Sequence, residues 1–179
     1  MTPMTQLQKL TACDTWLFHW CQQLHGDLRL APVIRFISRL GDGVLYLVIG
    51  LALAWLEPTR GMDFLQVGLL AFLFELPLYL LLKNTIRRDR PCHRLEGFSA
   101  LIEPSDQFSL PSGHAAAAFL FALVLGAHYP LLAPLAFALA GLIGLSRVLL
   151  GVHYPTDIAA GALLGVGSGL FALRLWEQL

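Results

Sequence analysis

Long apolar runs separated by short polar breaks dominate the chain after residue 42. Five of these runs are predicted to be helices that cross a bilayer, and they are Gly43–Leu56, Phe64–Lys83, His114–Ala127, Leu131–Leu145 and Ile158–Leu175. A spanning helix needs about 20 residues, so the shorter runs are expected to extend into flanking polar positions. Proline with polar neighbours marks the turns at Glu57-Pro58, His128-Tyr129-Pro130 and His153-Tyr154-Pro155.

The residues before position 43 follow a different pattern, in which apolar positions recur at helical steps of three and four. They are first Leu10, Cys13, Leu17, Trp20 and Leu24, and then Leu30, Val33, Ile34, Ile37 and Leu40. Polar side chains occupy the other faces, so the pattern predicts two amphipathic helices in the membrane interface. The alternative is one extra span of low hydrophobicity. Residues 1–42 are thus predicted to be an N-terminal segment, and residues 43–179 the transmembrane domain.

The composition favours a membrane protein. Hydrophobic residues make up 56% of the chain and charged residues 13%, whereas soluble domains carry about 25% charge. We therefore expect an all-α integral membrane bundle of five to six transmembrane helices. The net charge of +0 indicates no nucleic-acid partner, and the cysteines show no metal-binding or disulfide spacing. The N-terminus lacks a signal-peptide pattern, so insertion is expected to depend on internal segments.

One long polar segment runs from Asn84 to Gly113, between the second and third predicted spans. A basic cluster lies where the second span ends, and Pro111–His114 lies where the third begins. Because the third and fourth spans make two crossings, the polar stretch Ser146–Asp157 returns to the same side. The even number of crossings therefore predicts that all three polar clusters meet at one membrane face, whatever the topology of the N-terminal segment.

Several groups at this face are suited to binding phosphate. Lys83, Arg90 and Arg147 supply three cations, and arginine presents a planar fork of donors that matches phosphate oxygens. Ser112 is a favourable N-cap for the third span, and Gly113 allows a ligand to approach the backbone. The first amides of a helix are unpaired and its dipole attracts an anion. These groups together predict a phosphate-binding site.

Two histidines at the same face are candidates for the chemistry. His153 and Asp157 lie four residues apart at the start of the fifth span, where a helix brings the carboxylate within reach of the ring. A carboxylate on one ring nitrogen fixes the tautomer and leaves the other nitrogen free to attack. His114 lies beside the predicted phosphate site and is a candidate proton donor to the leaving oxygen.

Three motifs stand in order along the chain. Lys83–Pro91 fits K-x6-R-P, Pro111–His114 fits P-S-G-H, and Ser146–Asp157 fits S-R-x5-H-x3-D. With all three intact, the chain resembles the type 2 phosphatidic acid phosphatase superfamily, which also includes soluble acid phosphatases and vanadium haloperoxidases. The resemblance extends from about residue 64 to residue 175, and membrane members of the family commonly have six spans.

The resemblance implies a role for each motif residue. The phosphate-binding residues would be Lys83, Arg90, Ser112, Gly113 and Arg147. His153 would attack phosphorus and become a phosphohistidine, Asp157 would orient His153, and His114 would protonate the leaving alkoxide and then activate water. The resemblance implies no metal and no other cofactor, because the cations of the site are side chains. The implied activity is a membrane-embedded phosphatase that hydrolyses a phosphate monoester or pyrophosphate of a lipid.

Glu75 is an ionisable group inside the second span, beside Pro77. A charge at that depth costs about 3 kcal/mol and commonly faces the protein interior. One interpretation makes Glu75 a polar support beneath the site, and the other makes it a helix-packing hydrogen bond near a proline kink.

The motifs predict phosphate binding and do not identify the lipid that carries the phosphate. Phosphatidylglycerophosphate, phosphatidic acid, undecaprenyl pyrophosphate and lipid A phosphates are all candidate substrates, and membrane lipids are the expected surroundings. Alternative functions are a phosphotransferase that passes the phosphate to another lipid and a transporter of phosphorylated lipid. Arginines at the active face obscure the positive-inside rule. By resemblance the protein is placed in a bacterial inner membrane with its active face outside the cytoplasm.

Overall fold

The chain is an all-helical bundle in a computed structural model that describes residues 6–24, 28–104 and 106–178. Its helices are α1 (Gln6–Leu24), α2 (Ala31–Arg39), α3 (Gly43–Leu56), α4 (Arg60–Ile86), α5 (Pro91–Arg94), α6 (Gly113–His128), α7 (Ala133–Leu149) and α8 (Pro155–Trp176). Short 3-10 turns, Leu28–Leu30 and Pro130–Leu132, precede α2 and α7. The all-α prediction is confirmed. Four of the five predicted apolar runs lie within α3, α4, α6 and α8, and the run Leu131–Leu145 begins in the turn before α7 and continues in α7.

Within the described part of the chain, three helices are long and apolar enough to cross a membrane: α4, α8, and α7 together with the turn before it. Helices α2 and α3 together form a fourth candidate, but their axes are bent by 53° at the break between them. Helix α6 is apolar and has 16 residues, fewer than the roughly 20 that a typical span requires. Of the three short predicted runs, Leu131–Leu145 is extended to a 20-residue span by α7 and the turn before it, whereas α6 is one residue longer than its run at each end and α3 is no longer than its run.

Helix α6 lies at the centre of the bundle and packs against α8, α7 and α4. The contact between α6 and α8 is close because glycines of α8 face α6. A Cβ at Gly161 would lie 2.4 Å from the carbonyl oxygen of Ser112, and a Cβ at Gly165 would lie 2.1 Å from that of Ala116. A side chain at either position would force the two helices apart, so these glycines allow the second and third turns of α8 to pack directly against the start of α6.

The outer surface of the bundle is apolar, as expected for helices in contact with lipid. Large exposed side chains on α3, α4, α7 and α8 include Val48, Leu51, Leu69, Leu73, Leu135 and Leu163. The buried residues at the centre include smaller side chains such as Ala71, Ala118 and Ala122. Small residues between helices and large apolar residues outside are the arrangement expected in a bilayer.

The N-terminal helices pack on the same end of the bundle, where α1 contacts α7 and α8 and α2 contacts α7. The face of α1 that is buried against the protein carries Asp14, Phe18 and Cys21. Cys13 and Trp20, from the predicted apolar face, are exposed, and the side chains of Leu10 and Leu24 lie outside the described ones. Two described members of the predicted apolar face are therefore exposed, and a second face of α1, which contains an aspartate, packs against the protein.

Candidate active site

The predicted site residues converge at one end of the bundle because each lies at a helix end. Lys83 is in the last turn of α4 and Arg147 in the last turn of α7. Arg90 immediately precedes α5, and Gly113 and His114 begin α6. The connection between α7 and α8 contains His153. Polar groups from three separate motifs therefore form one cluster.

The His153 ring is buried, with 2% of its surface exposed, and has a charged group on each side. Its Nε2 lies 3.2 Å from a guanidinium nitrogen of Arg90. Its Nδ1 lies 3.5 Å from Oδ2 of Asp157. Because arginine offers only N–H donors, Nε2 must accept, and the ring proton belongs on Nδ1, facing the carboxylate. This tautomer presents the Nε2 lone pair to the phosphate-binding cations.

Asp157 is held more tightly by its other neighbours than by the ring it faces. It occupies the first turn of α8, where its Oδ2 accepts a 2.8 Å hydrogen bond from the backbone N–H of Tyr154. The 3.5 Å separation from His153 is longer than an ordinary N–H···O bond of about 2.7–3.2 Å. Contacts of this kind commonly shorten when substrate binds. The hydrogen bond at the start of α8 therefore holds the Asp157 carboxylate in place before His153 forms a close contact with it.

Burial controls the protonation of His153. Removal from water disfavours the charged imidazolium and outweighs the attraction of Asp157, so the pKa of His153 falls from 6.5 to about 4. The ring is consequently neutral at neutral pH, which is the form that a nucleophile requires.

Two of the three predicted phosphate-binding cations are held by an aspartate. Asp106 accepts hydrogen bonds from Lys83 Nζ at 2.8 Å and from Arg90 Nη2 at 2.5 Å. Tyr79 also donates to this carboxylate, at 3.1 Å. Burial alone would raise the pKa of Asp106, but the hydrogen bonds and charges of Lys83 and Arg90 hold it below its ordinary value. An anionic group with two oxygens therefore binds where the resemblance implies phosphate.

Arg147 is the third cation and is 4% exposed. One of its terminal nitrogens donates a 2.7 Å hydrogen bond to the hydroxyl of Ser38 on α2. Its Nε has no hydrogen-bond partner among the residues that the structure describes. Unpaired buried donors are uncommon, so this guanidinium edge is free to bind an anion.

The start of α6 has the geometry that its motif predicts. Ser112 caps the helix, with its hydroxyl 3.4 Å from the N–H of Ala115. The backbone N–H of Ser112 also donates to the carbonyl of Asp157 at 3.0 Å, which joins the start of α6 to the start of α8. A Cβ at Gly113 would lie 3.1 Å from the Tyr79 ring, so a larger residue would crowd this ring.

His114 lies on a more open side of the site than His153. Its Nε2 is 3.1 Å from a carboxylate oxygen of Asp42, which lies in the break between α2 and α3. The side chain of His114 is 24% exposed and that of Asp42 is 55% exposed. Both residues line a cavity of about 110 Å³ that Arg147 also lines. His114 and Arg147 thus line the same cavity.

A buried ion pair that the motifs do not predict supports Asp157 from behind. Arg88 donates a 2.7 Å hydrogen bond to Oδ1 of Asp157, and its other terminal nitrogen donates to Asp14 of α1. Asp14 also accepts a 3.1 Å hydrogen bond from the backbone N–H of Thr156. The guanidinium lies 4.2 Å from the centre of the Tyr154 ring. Helix α1 is therefore connected to His153 through Asp14, Arg88 and Asp157.

Glu75 is buried, with 4% of its surface exposed, and lies one helical turn before Tyr79 on α4. No hydrogen bond or ion pair joins it to a predicted site residue in the described part of the chain. The structure therefore shows proximity to the site through Tyr79 and no direct support for the catalytic groups.

Four polar residues near the site are absent from the sequence prediction: Asp14, Asp42, Arg88 and Asp106. Each lies outside the motif positions. Asp106 pairs with two motif cations and Asp42 contacts His114, whereas Asp14 and Arg88 pair with each other behind Asp157. For Asp14 a signal exists, because an aspartate shares a helical face with Phe18 and Cys21. For Asp106 the only signal is a lone acidic residue in a loop, which pattern analysis cannot distinguish from a solvated one.

Comparison with known proteins agrees with this geometry. Residues 64–179 match the PAP2 superfamily. The decaprenylphosphoryl-5-phosphoribose phosphatase of Mycobacterium tuberculosis is 35% identical over 136 residues, which cover 75% of this chain and 74% of that protein.

Two crystal structures have the same fold. Aquifex aeolicus LpxE superposes with a TM-score of 0.79 at 28% identity, over 89% of this chain and 94% of that one. A transmembrane PAP2-type phosphatidylglycerolphosphate phosphatase from Bacillus subtilis gives 0.77 at 28% identity, over 96% of this chain and 88% of that one. The family match covers more than half of the chain and includes all three motifs. The chain therefore belongs to the PAP2 superfamily, as a metal-independent membrane phosphatase that acts on lipid phosphates.

Proposed function

We propose that the protein removes the terminal phosphate of a membrane lipid through a phosphohistidine on His153. The observation that carries this proposal is the environment of one buried ring. Its Nδ1 faces Asp157 and its Nε2 faces Arg90, and the ring is neutral at neutral pH. A neutral imidazole with a fixed tautomer, directed toward a group of cations, is suited to attack a phosphorus atom.

Phosphate binding begins with an exchange of anions. The Asp106 carboxylate lies between Lys83 and Arg90, and a phosphate that binds these cations takes its place. The free edge of Arg147 and the first amides of α6 supply further donors to the phosphate oxygens. The net cost is small, because one anion replaces another on the same two cations. Asp106 thereby keeps the cations paired before substrate arrives.

In the first chemical step, Nε2 of His153 forms a bond to phosphorus and the bond from phosphorus to the lipid oxygen breaks. His114, protonated, donates its proton to that oxygen, and the dephosphorylated lipid leaves. Asp157 stabilises the positive charge that develops on the His153 ring. Asp42, whose carboxylate oxygen lies 3.1 Å from Nε2 of His114, can accept a hydrogen bond from this ring and so orients it.

In the second step a water molecule attacks the phosphohistidine. His114, now neutral, accepts a proton from the water as the bond from phosphorus to nitrogen breaks. The products are inorganic phosphate and free His153, and His114 regains its proton. If another lipid's hydroxyl replaces the water, the same groups perform phosphotransfer, which is the alternative function that the sequence leaves open.

We propose that α3, α4, α6, α7 and α8 cross the membrane, with α1 and α2 near the interface at the active-site end. The exposed apolar side chains of the long helices support this arrangement. A sixth crossing by the N-terminal segment is the alternative, and residues 1–5 and 25–27 of this segment lie outside the described residues. We place the protein in a bacterial inner membrane with the active end outside the cytoplasm, supported by its similarity to bacterial proteins.

A phosphate-release assay tests the proposal. Purified protein in neutral detergent is given phosphatidylglycerophosphate, phosphatidic acid, undecaprenyl pyrophosphate and a lipid A phosphate in excess EDTA. We expect release from at least one lipid, and a loss on the order of 10⁴-fold or more in His153→Ala because the nucleophile is absent. Release that requires added magnesium, or that survives in His153→Ala, would refute the mechanism. Transfer of labelled phosphate to an acceptor lipid would instead support the phosphotransferase.

A further inference from the structure

Two arginines of α2 line the same cavity as His114. Arg35 and Arg39 line this cavity of about 110 Å³ together with Ser38, Asp42 and Arg147. Both arginines are exposed at their helix surface, and neither is among the three motif cations. The N-terminal segment, which precedes the matched family region, thus contributes charge to the active-site cavity.

The charge in this cavity is unbalanced. Arg35 and Arg39 lie four residues apart on one helix, where like charges repel each other. A terminal nitrogen of Arg35 donates to the carbonyl of Leu101 at 2.6 Å, and this contact leaves its charge uncompensated. Asp42 is the one carboxylate in the lining, and it faces His114. With Arg147 included, three arginines face one aspartate, so the cavity attracts a further anion.

The chemistry fixes which part of a substrate occupies this cavity. His153 and the pair Lys83 and Arg90 lie on the nucleophile side, where the phosphorus binds. His114 must contact the oxygen that leaves, so the leaving group lies on the His114 side. Because His114 lines the same cavity as Arg35 and Arg39, the leaving group is placed next to these two arginines.

We propose that Arg35 and Arg39 form a second anion subsite that selects lipids whose leaving group itself carries a phosphate. This inference rests on the proposed function and names its preferred substrate class. Two lipid types meet the requirement: a lipid pyrophosphate, and a lipid with a terminal phosphate monoester beyond a phosphodiester. Phosphatidic acid does not, because its leaving group is an uncharged diacylglycerol.

For a lipid pyrophosphate the subsite also assists the reaction. His153 attacks the terminal phosphorus, and the bond from this phosphorus to the bridging oxygen breaks. The electron pair remains on the bridging oxygen, so negative charge develops on the departing lipid monophosphate. Arg35 and Arg39 lie where this charge develops, and they stabilise it by charge-assisted hydrogen bonds. Water then releases the terminal phosphate from His153 as described above.

The test compares two lipids that differ by one phosphate. Diacylglycerol pyrophosphate and phosphatidic acid with identical acyl chains are presented in neutral-detergent micelles, and kcat/KM is measured for the wild type, Arg35→Gln, Arg39→Gln and the double variant. We expect the double variant to lose roughly tenfold or more on the pyrophosphate, since hydrogen bonds to charged groups are among the stronger ones. On phosphatidic acid it should stay within about twofold of wild type. Increasing salt should weaken the preference of the wild type for the pyrophosphate.

Two further variants separate charge recognition from folding and from membrane attraction. Arg39→Lys keeps the charge and should retain most of the preference. Arg87→Gln removes an exposed arginine that contacts the carbonyl of Asn84 and lies outside the cavity lining, and it should not change the preference. An equal loss on both lipids in the double variant, or no loss on either, would overturn the subsite. Failure of the proposed function has a different signature, which is that the wild type releases phosphate from none of the lipids in either assay.

Discussion

The two histidines of the active site lie in opposite kinds of surroundings. His153 is 2% exposed and faces Asp157, which is itself held by Arg88 and by the first turn of α8. His114 is partly exposed, and its one carboxylate neighbour, Asp42, lies at an exposed break between helices. The nucleophile side is thus closed and cross-linked by hydrogen bonds, whereas the leaving-group side is open.

This difference matches what each side must do. Attack on phosphorus requires one ring nitrogen in one position, and a buried network of hydrogen bonds provides that rigidity. The leaving group is the lipid, which must enter from the membrane and depart again, and an open cavity permits this. The comparison predicts that substitutions on the nucleophile side affect all substrates equally, and that substitutions on the leaving-group side depend on the substrate.

The largest effect that separates the two sides is expected for His114→Ala. Loss of a general acid costs about 10²–10⁴-fold when the leaving group is an alkoxide. Nitrophenyl phosphate needs little protonation, so the burst of nitrophenol from the first turnover should be much less affected. The matched control is His128→Ala, at the other end of α6, where the ring contacts the carbonyl of Val124. Equal losses on both substrates would contradict the role of His114 as proton donor.

Arg88→Gln is expected to have an intermediate effect that is the same for every substrate. It removes the hydrogen bond to Asp157 and leaves two buried carboxylates without their shared partner, so we expect kcat to fall by about 10–100-fold, as for other supporting groups. KM should change little, because Arg88 contacts none of the phosphate-binding cations. Asp14→Asn should act in the same direction and more weakly. A change confined to KM would show that this network binds substrate and does not position His153.

The pKa of His153 provides a more specific test, in which the expected effect is smaller. Its folded pKa of about 4 lies below the ordinary 6.5, so the ring should stay neutral from pH 7 down to near pH 4. The unfolded chain binds this proton at higher pH than the folded protein, so the contribution of His153 to stability should fall as pH drops from about 6.5 towards 4. NMR titration of histidine-labelled protein, with His153→Gln for assignment, measures this pKa. Titration at or above 6.5 would contradict the burial argument.

Glu75→Gln is expected to have the smallest effect. Glu75 is close to Tyr79 but makes no described contact with a phosphate-binding or catalytic residue. Turnover per folded molecule should therefore remain near wild type on both types of leaving group, measured after gel filtration to count folded protein. A loss of tenfold or more without unfolding would make Glu75 part of the site.

The sequence predicts the parts of this protein that depend on periodicity and on ordered motifs. Apolar runs identify the helices, because a helix in lipid must be apolar along its length. The motif positions predict which side chains gather, since Lys83, Arg147 and His153 each lie at a helix end near the same boundary. The all-α fold and the lipid phosphatase class are confirmed on this basis.

The remaining features depend on tertiary contacts that no local pattern contains. Asp106 pairs with Lys83 across 23 positions, and Arg88 pairs with Asp14 across 74. The α2–α3 bend places Asp42 beside His114, 72 positions away. Asp106 and Asp42 are single charged residues in polar segments, where solvated charges are common, and only Asp14 has a local signal, which is its place on the helical face of Phe18 and Cys21. Motif reasoning therefore finds the groups that contact substrate and misses the carboxylates that neutralise and orient them.

The most direct test of the account is to identify the residue that carries the phosphoryl group. The His114→Ala variant lacks the base that activates water, so it should accumulate the intermediate when given a labelled phosphate ester with a good leaving group. A quench in base preserves phosphohistidine, and peptide mapping then locates the label. We expect base-stable, acid-labile label on His153, and no label when His153→Ala is added to the same variant. Label on any other residue would contradict the assignment of His153 as the nucleophile.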